Sequence, residues 1–125
     1  MEDNPADALL VRKAFEAQEI EGEITILTDG EMAIQFIEGI DSPVPDLVII
    51  DLNLPKKPGR EVLKSIRQRE MYRAVPVLIL SSSDTQTDMT DAMLLGASRY
   101  IRKPTRLDEF LGLGAVFKET LGQTP

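Results

Sequence analysis

The chain has no cysteine and no histidine among its 125 residues, so thiolate and imidazole chemistry is excluded. A reactive centre must then be built from carboxylates, hydroxyls, lysine or arginine. Four places hold such groups beside features that could aim them. Glu2 and Asp3 form an acidic pair ahead of a Pro-led helix. Asp51 closes the apolar run Asp46-Leu-Val-Ile-Ile-Asp51, Ser81 to Ser83 follow Val75-Pro-Val-Leu-Ile-Leu80, and Lys103 ends Arg99-Tyr-Ile-Arg-Lys103. Brought together, they make a carboxylate cluster with a hydroxyl and a lysine. Oxygen donors without His or Cys suit a hard cation, Mg²⁺ in particular. Like-charged carboxylates repel, so a divalent cation is needed before such a pocket can accept a further negative group. Taken singly, each residue has a plainer reading: an Asp after a strand is a turn former, Lys-Pro is surface punctuation, Tyr100 is a half-buried strand aromatic and the serines are a loop.

The elements that must position these groups follow from periodicity. The runs 46–51 and 75–80 are short, apolar, rich in branched residues and bounded by turn formers, which predicts strands buried on both faces of a parallel sheet. Glu23-Ile-Thr-Ile-Leu-Thr28 and residues 99–103 are predicted as two further strands. Helices are expected between them: from Asn4-Pro5 to near Gly22 with Ala8, Val11 and Phe15 on one face; from Gly30 to Glu38; from Pro58 to Glu70; from Asp84 to Leu95, stopping at Gly96; and from about Arg106 to Leu121. Asn4, Asp84 and Thr105 are the expected caps. Gly112 and Gly114 each weaken the last helix by roughly 1 kcal/mol relative to Ala. Leu107, Phe110, Leu111, Phe117 and Leu121 are expected in the core, with Phe110, Leu113 and Phe117 the candidates for a dimer face. The tail 122–125 is expected to fray. Strict strand–helix alternation implies right-handed crossovers and an α/β, doubly wound parallel sheet with helices on both faces, whose working site lies at the carboxyl ends of the strands.

The length gives one domain, 1–125. With 21 acidic against 14 basic residues the net charge is −7, which argues against nucleic acid as a partner. No apolar run reaches the roughly 20 residues of a membrane span and the start is unlike a signal peptide, so a cytoplasmic location is expected.

The ordered set Glu2-Asp3-Asn4-Pro5, Asp51-Leu-Asn-Leu-Pro55, Ser81 after Pro-Val-Leu-Ile-Leu, Leu95-Gly-Ala97 and Tyr100-Ile-Arg-Lys-Pro104 resembles the response regulator receiver domains of two-component systems. Asp51-Leu-Asn-Leu-Pro-Lys-Lys57 with Gly59-Arg-Glu-Val-Leu63 is similar to the single-domain regulators that accompany phytochrome-type and other hybrid sensor kinases. The resemblance implies a flavodoxin-like fold and a signalling protein rather than an enzyme, one that only assists its own phosphorylation and dephosphorylation. It implies that Asp51 is the phosphoacceptor, taking a phosphoryl group from a sensor histidine kinase or a histidine phosphotransfer protein. Asp3, Asp51 and the Asn53 carbonyl would hold Mg²⁺, with Glu2 acting indirectly. Lys103 and Ser81 would bind phosphoryl oxygens, and Ser81 and Tyr100 would form the conformational switch. A cis Lys103–Pro104 bond is expected on the same ground.

The chain departs from the family at its start. Receiver domains begin with a strand running into the acidic pair, central in a sheet ordered 2-1-3-4-5, whereas here one residue precedes Glu2. The expectations are a start set too late, a repaired sheet in which the second strand pairs with the third, or a homodimer or strand-exchanged oligomer that fills the gap. Weak metal binding by Glu2 and Asp3 is expected with it. The alternative function is a non-phosphorylated pseudo-receiver acting as an interaction or dimerisation module. A flavodoxin-like or phosphatase-like enzyme lacks support, because no Gly-rich phosphate loop follows a strand and Asn53 stands where a second Asp would be needed.

Overall fold

The computed structural model describes residues 1–39 and 41–122. Five α-helices, α1 (Pro5–Ala17), α2 (Gly30–Glu38), α3 (Gly59–Gln68), α4 (Gln86–Leu94) and α5 (Leu107–Gly122), surround three strands, β1 (Val48–Ile50), β2 (Val77–Ser81) and β3 (Arg99–Arg102). A short 3₁₀ turn, Glu70–Tyr72, follows α3. The strands pair in parallel in the order β1-β2-β3, with Ile50 opposite Ile79 and Ser81 opposite Arg102. All five residues of β2 are buried, as a central strand covered on both faces requires.

Two apolar layers enclose the sheet. On one face α2, α3 and α4 bury Ile37, Val62, Leu63, Ile66 and Ala92 against Ile50, Val77 and Ile79. On the other, α1 and α5 meet over Leu78 and Leu80, with the rings of Phe15 and Phe117 5.2 Å apart. Phe110, Leu113 and Phe117 are all buried within the chain and present no free dimer face, whereas Leu107, expected in the core, is 61% exposed at the first turn of α5.

The doubly wound parallel architecture is the one expected, but the strand expected over Glu23–Thr28 is absent. A strand exists only through its partner, and Met1 and Glu2 are the residues that lie between this segment and β1. The Met1 ammonium donates to the Ile49 oxygen (2.8 Å) and the Asp51 N–H donates to the Met1 oxygen (3.2 Å), a single parallel bridge opposite Ile50. The Glu2 N–H donates to the Leu27 oxygen (2.9 Å). Beyond these bonds a cavity of about 480 Å³ separates residues 23–27 from β1, lined by Phe15, Ile24, Ile26, Leu47 and Ile49 among others. The segment therefore does not pair with β1, and the repaired sheet is not formed.

Helix ends differ from expectation for local reasons. Asn4 caps α1 by accepting from the Ala6 and Asp7 N–H groups, but the helix stops at Ala17, before the Glu19 backbone enters the left-handed region at φ 54°. Thr85, not Asp84, caps α4 by accepting from the Asp88 N–H, and Asp84 pairs instead with Arg102 (3.3 Å). No cap bond is made by Thr105; the Phe110 N–H reaches the Arg106 oxygen (3.0 Å). α5 runs to Gly122, and the rest of the tail expected to fray, 123–125, lies outside the described residues. No helix among the described residues is long and apolar enough to cross a membrane.

Candidate functional site

The carboxyl ends of β1, β2 and β3 bring Asp51, Ser81 and Lys103 to one edge of the sheet, and the Met1 bridge adds Glu2 and Asp3. Asp51 follows β1 directly and is 6% exposed. Its Oδ1 accepts from the Asn53 N–H (2.9 Å), closing a turn that aims the carboxylate across the strand end. The loop beyond is pinned twice. The Gly59 N–H donates to the Leu52 oxygen and the Gly30 N–H to the Pro55 oxygen. At Gly59 glycine is required by contact, since a Cβ would lie 2.3 Å from the Asp51 carbonyl oxygen. α3 therefore begins packed directly against the backbone of Asp51.

Lys103 is fixed beside Ser81, because its N–H donates to the Ser81 oxygen (2.7 Å) where β3 ends. The Lys103–Pro104 bond is trans rather than cis, as no cis peptide occurs among the described residues. The lysine still enters the pocket. Its Nζ lies 2.8 Å from Asp51 Oδ2, 2.8 Å from Glu2 Oε2 and 2.8 Å from Asp7 Oδ2. Burial pulls the Lys103 pKa down, but hydrogen bonds to Asp51, Asp7 and Glu2 outweigh it and hold it above the ordinary lysine range. Burial also raises the Glu2 pKa, against the lowering effect of Lys103.

One carboxylate oxygen from each of Glu2, Asp3 and Asp51 lies within 4.8 Å of the others, a spacing and donor chemistry that fit a hard divalent cation. Glu2, expected to act on the metal indirectly, stands in this acidic trio. Ser81 is fully buried, and its Oγ accepts from the Ser83 N–H (3.2 Å). Tyr100 is half-buried, with its hydroxyl donating to the Ser83 oxygen (2.8 Å). Ser83 in turn donates to Asp88 in the first turn of α4. The serine loop therefore joins the pocket to Tyr100 and to α4.

Two participants escaped the sequence reading. Asp7 reaches Lys103 across 96 positions of sequence, and only its place in the first turn of α1, just after the Asn4 cap, hinted that it faces the strand ends. Met1 carries no side chain of the types that could do chemistry, yet its backbone carries the bridge that seats Glu2.

The sequence matches the response regulator receiver domain over residues 1–113. It is 35% identical to the response regulator Rcp1 of Synechocystis sp., covering 97% of this chain and 88% of that one. Its identity to the probable methanogenesis regulatory protein FilR2 of Methanothrix harundinacea is 37%, over 87% of this chain and 72% of that one. Among solved structures, the phosphorylated cyanobacterial phytochrome response regulator RcpA superposes with a TM-score of 0.90 at 32% identity, covering 100% of this chain and 92% of that one. The Mn²⁺-bound form of Rcp1 gives 0.88 at 33%, covering 100% and 93%. The order of acidic pair, strand-end aspartate, serine and lysine, the parallel sheet that gathers them, and the match across most of the sequence place this chain in the response regulator receiver family.

Proposed function

We propose that this chain is a phosphoacceptor switch in which Asp51 takes a phosphoryl group from a phosphohistidine on a sensor histidine kinase or histidine phosphotransfer protein in the cytoplasm. An Asp51 carboxylate oxygen attacks phosphorus, the P–N bond breaks, and the leaving imidazole retains the bond's electron pair and takes up a proton. Glu2, Asp3, Asp51 and the Asn53 carbonyl would hold Mg²⁺, which supplies neutralisation of phosphoryl charge when bound. Lys103 contributes a second, fixed positive charge, and its short bond to Asp51 beside the acidic trio is the observation that carries this reading. The Mn²⁺-bound form of Rcp1 and the phosphorylated RcpA support it.

The Ser81 hydroxyl would donate to a phosphoryl oxygen, and its movement toward that oxygen breaks the bond its Oγ accepts from the Ser83 N–H and frees the loop on which the Tyr100 hydroxyl is held. Activation is then a shift between two arrangements of this loop, biased by the bonds phosphate makes in one of them. The chain assists only its own phosphorylation and dephosphorylation, and its charge of −7 disfavours nucleic acid as a direct target.

Intact-protein mass after incubation with acetyl phosphate and Mg²⁺ tests the proposal. A gain of one phosphoryl group is expected, abolished by Asp51→Asn. No gain, even with an apolar strand added ahead of Glu2, identifies the chain as a non-phosphorylated pseudo-receiver acting as an interaction module.

A further inference from the structure

Lysine has three ammonium donors, and at Lys103 each faces a different carboxylate at 2.8 Å: Glu2, Asp7 and Asp51. The three partners are not equivalent. Glu2 and Asp51 also belong to the trio whose oxygens lie within 4.8 Å of one another, and Asp7 does not. A divalent cation in that trio competes for the oxygens of Glu2 and Asp51 and repels the ammonium beside them. Asp7 remains as the one partner the cation leaves to the lysine. It is also firmly placed, in the first turn of α1, behind an Asn4 cap.

We propose that Asp7 is a positioning residue that retains the Lys103 ammonium at the pocket when metal occupies the acidic trio. This extends the metal and phosphoryl reading above and rests on it. One donor stays on Asp7 as a pivot while the other two are released toward phosphoryl oxygens. Lys103 has a flexible four-carbon stem, so without that pivot an ammonium displaced by the cation swings into solvent.

The proposal makes the effect of Asp7 conditional on metal, which a merely structural role is not. The probe is the nitrogen-detected NMR signal of the Lys103 ammonium, measured in chelator and in saturating Mg²⁺ for the wild-type chain, Asp7→Asn and Asp7→Glu. The wild type should keep a protected ammonium signal in both conditions. Asp7→Asn should keep it in chelator, where Glu2 and Asp51 still hold the lysine, and lose it with Mg²⁺; Asp7→Glu should retain it in both. A signal that survives Mg²⁺ in Asp7→Asn overturns the proposal, and so does one already lost in chelator while the amide spectrum stays folded. If Mg²⁺ leaves the Asp3 and Asp51 amide signals of the wild type unmoved, the metal reading fails and this inference fails with it.

Discussion

The Lys103 ammonium lies 2.8 Å from Oδ2 of Asp51, although 52 positions separate the two residues in the chain. β2 lies between the strands that end in them, and the parallel register of three strands is what closes that distance. The contact ties the electrostatics of the pocket to the integrity of the sheet.

Replacing that charge should be costly in a way that metal can repair. Lys103→Met leaves Glu2, Asp7 and Asp51 facing one another with no cation between them. Loss of one partner from a mostly buried ionic cluster costs about 3–5 kcal/mol. In chelator, urea unfolding should show a loss of that order. Mg²⁺ should restore more stability to the variant than it adds to the wild type, because it takes over the ammonium's place. Equal Mg²⁺ stabilisation of the two proteins would contradict this.

The Met1 amine gives the fold a distinctive pH dependence. Burial lowers its pKa from 8.0 to about 6, against the raising effect of Glu2 and Asp51. Between those values the unfolded chain binds a proton that the folded chain does not, so stability rises with pH across the window. It is least below pH 6 and full above pH 8, and the difference is about 2–3 kcal/mol. Urea midpoints measured in chelator should climb through that interval, and acetylation of the amine should flatten the rise. A midpoint that falls from pH 6 to pH 8 would reverse the assigned sign.

Two glycines of α5 that look alike in sequence should respond oppositely to alanine. A Cβ at Gly112 meets nothing within 4 Å, so Gly112→Ala should stabilise by about 0.5–1 kcal/mol through helix propensity alone. A Cβ at Gly114 would lie 2.3 Å from the Ala14 carbonyl oxygen of α1, a backbone atom that cannot swing away. Gly114→Ala should therefore destabilise by about 1–3 kcal/mol. Denaturant midpoints at unchanged m-values separate the two.

Tyr100→Phe removes the hydroxyl that donates to the Ser83 oxygen but keeps the ring against the core. The expected loss is about 0.5–1.5 kcal/mol. Amide exchange should quicken in residues 82–85 more than in β2, because the lost bond holds the loop and not the strand.

How far the sequence could be read depended on where each interaction lies along the chain. Asp51 and Ser81 stood out because a branched apolar run ends beside each, and Asn4 because its cap acts on the next turn. Residues 23–28 misled for the converse reason: their composition suits a strand, but pairing requires a neighbour that here amounts to Met1 and Glu2. The α4 cap falls on Thr85, one residue beyond the expected Asp84, whose carboxylate lies 3.3 Å from Arg102, a residue of β3 that cap preferences cannot weigh. Asp7 was invisible as a partner of Lys103 because helix periodicity shows which face a residue occupies but not what the other end of the chain brings to it.

The Met1 bridge has a consequence for linkage. The same two residues that cross the gap between Leu27 and β1 carry Glu2 into the acidic trio, and the Met1 oxygen holds the Asp51 amide. The apolar gap and the acidic pocket are therefore two ends of one mechanical element. Any change that firms the backbone across the gap favours a cation at the pocket, and by reciprocity a cation at the pocket firms the gap by an equal free energy.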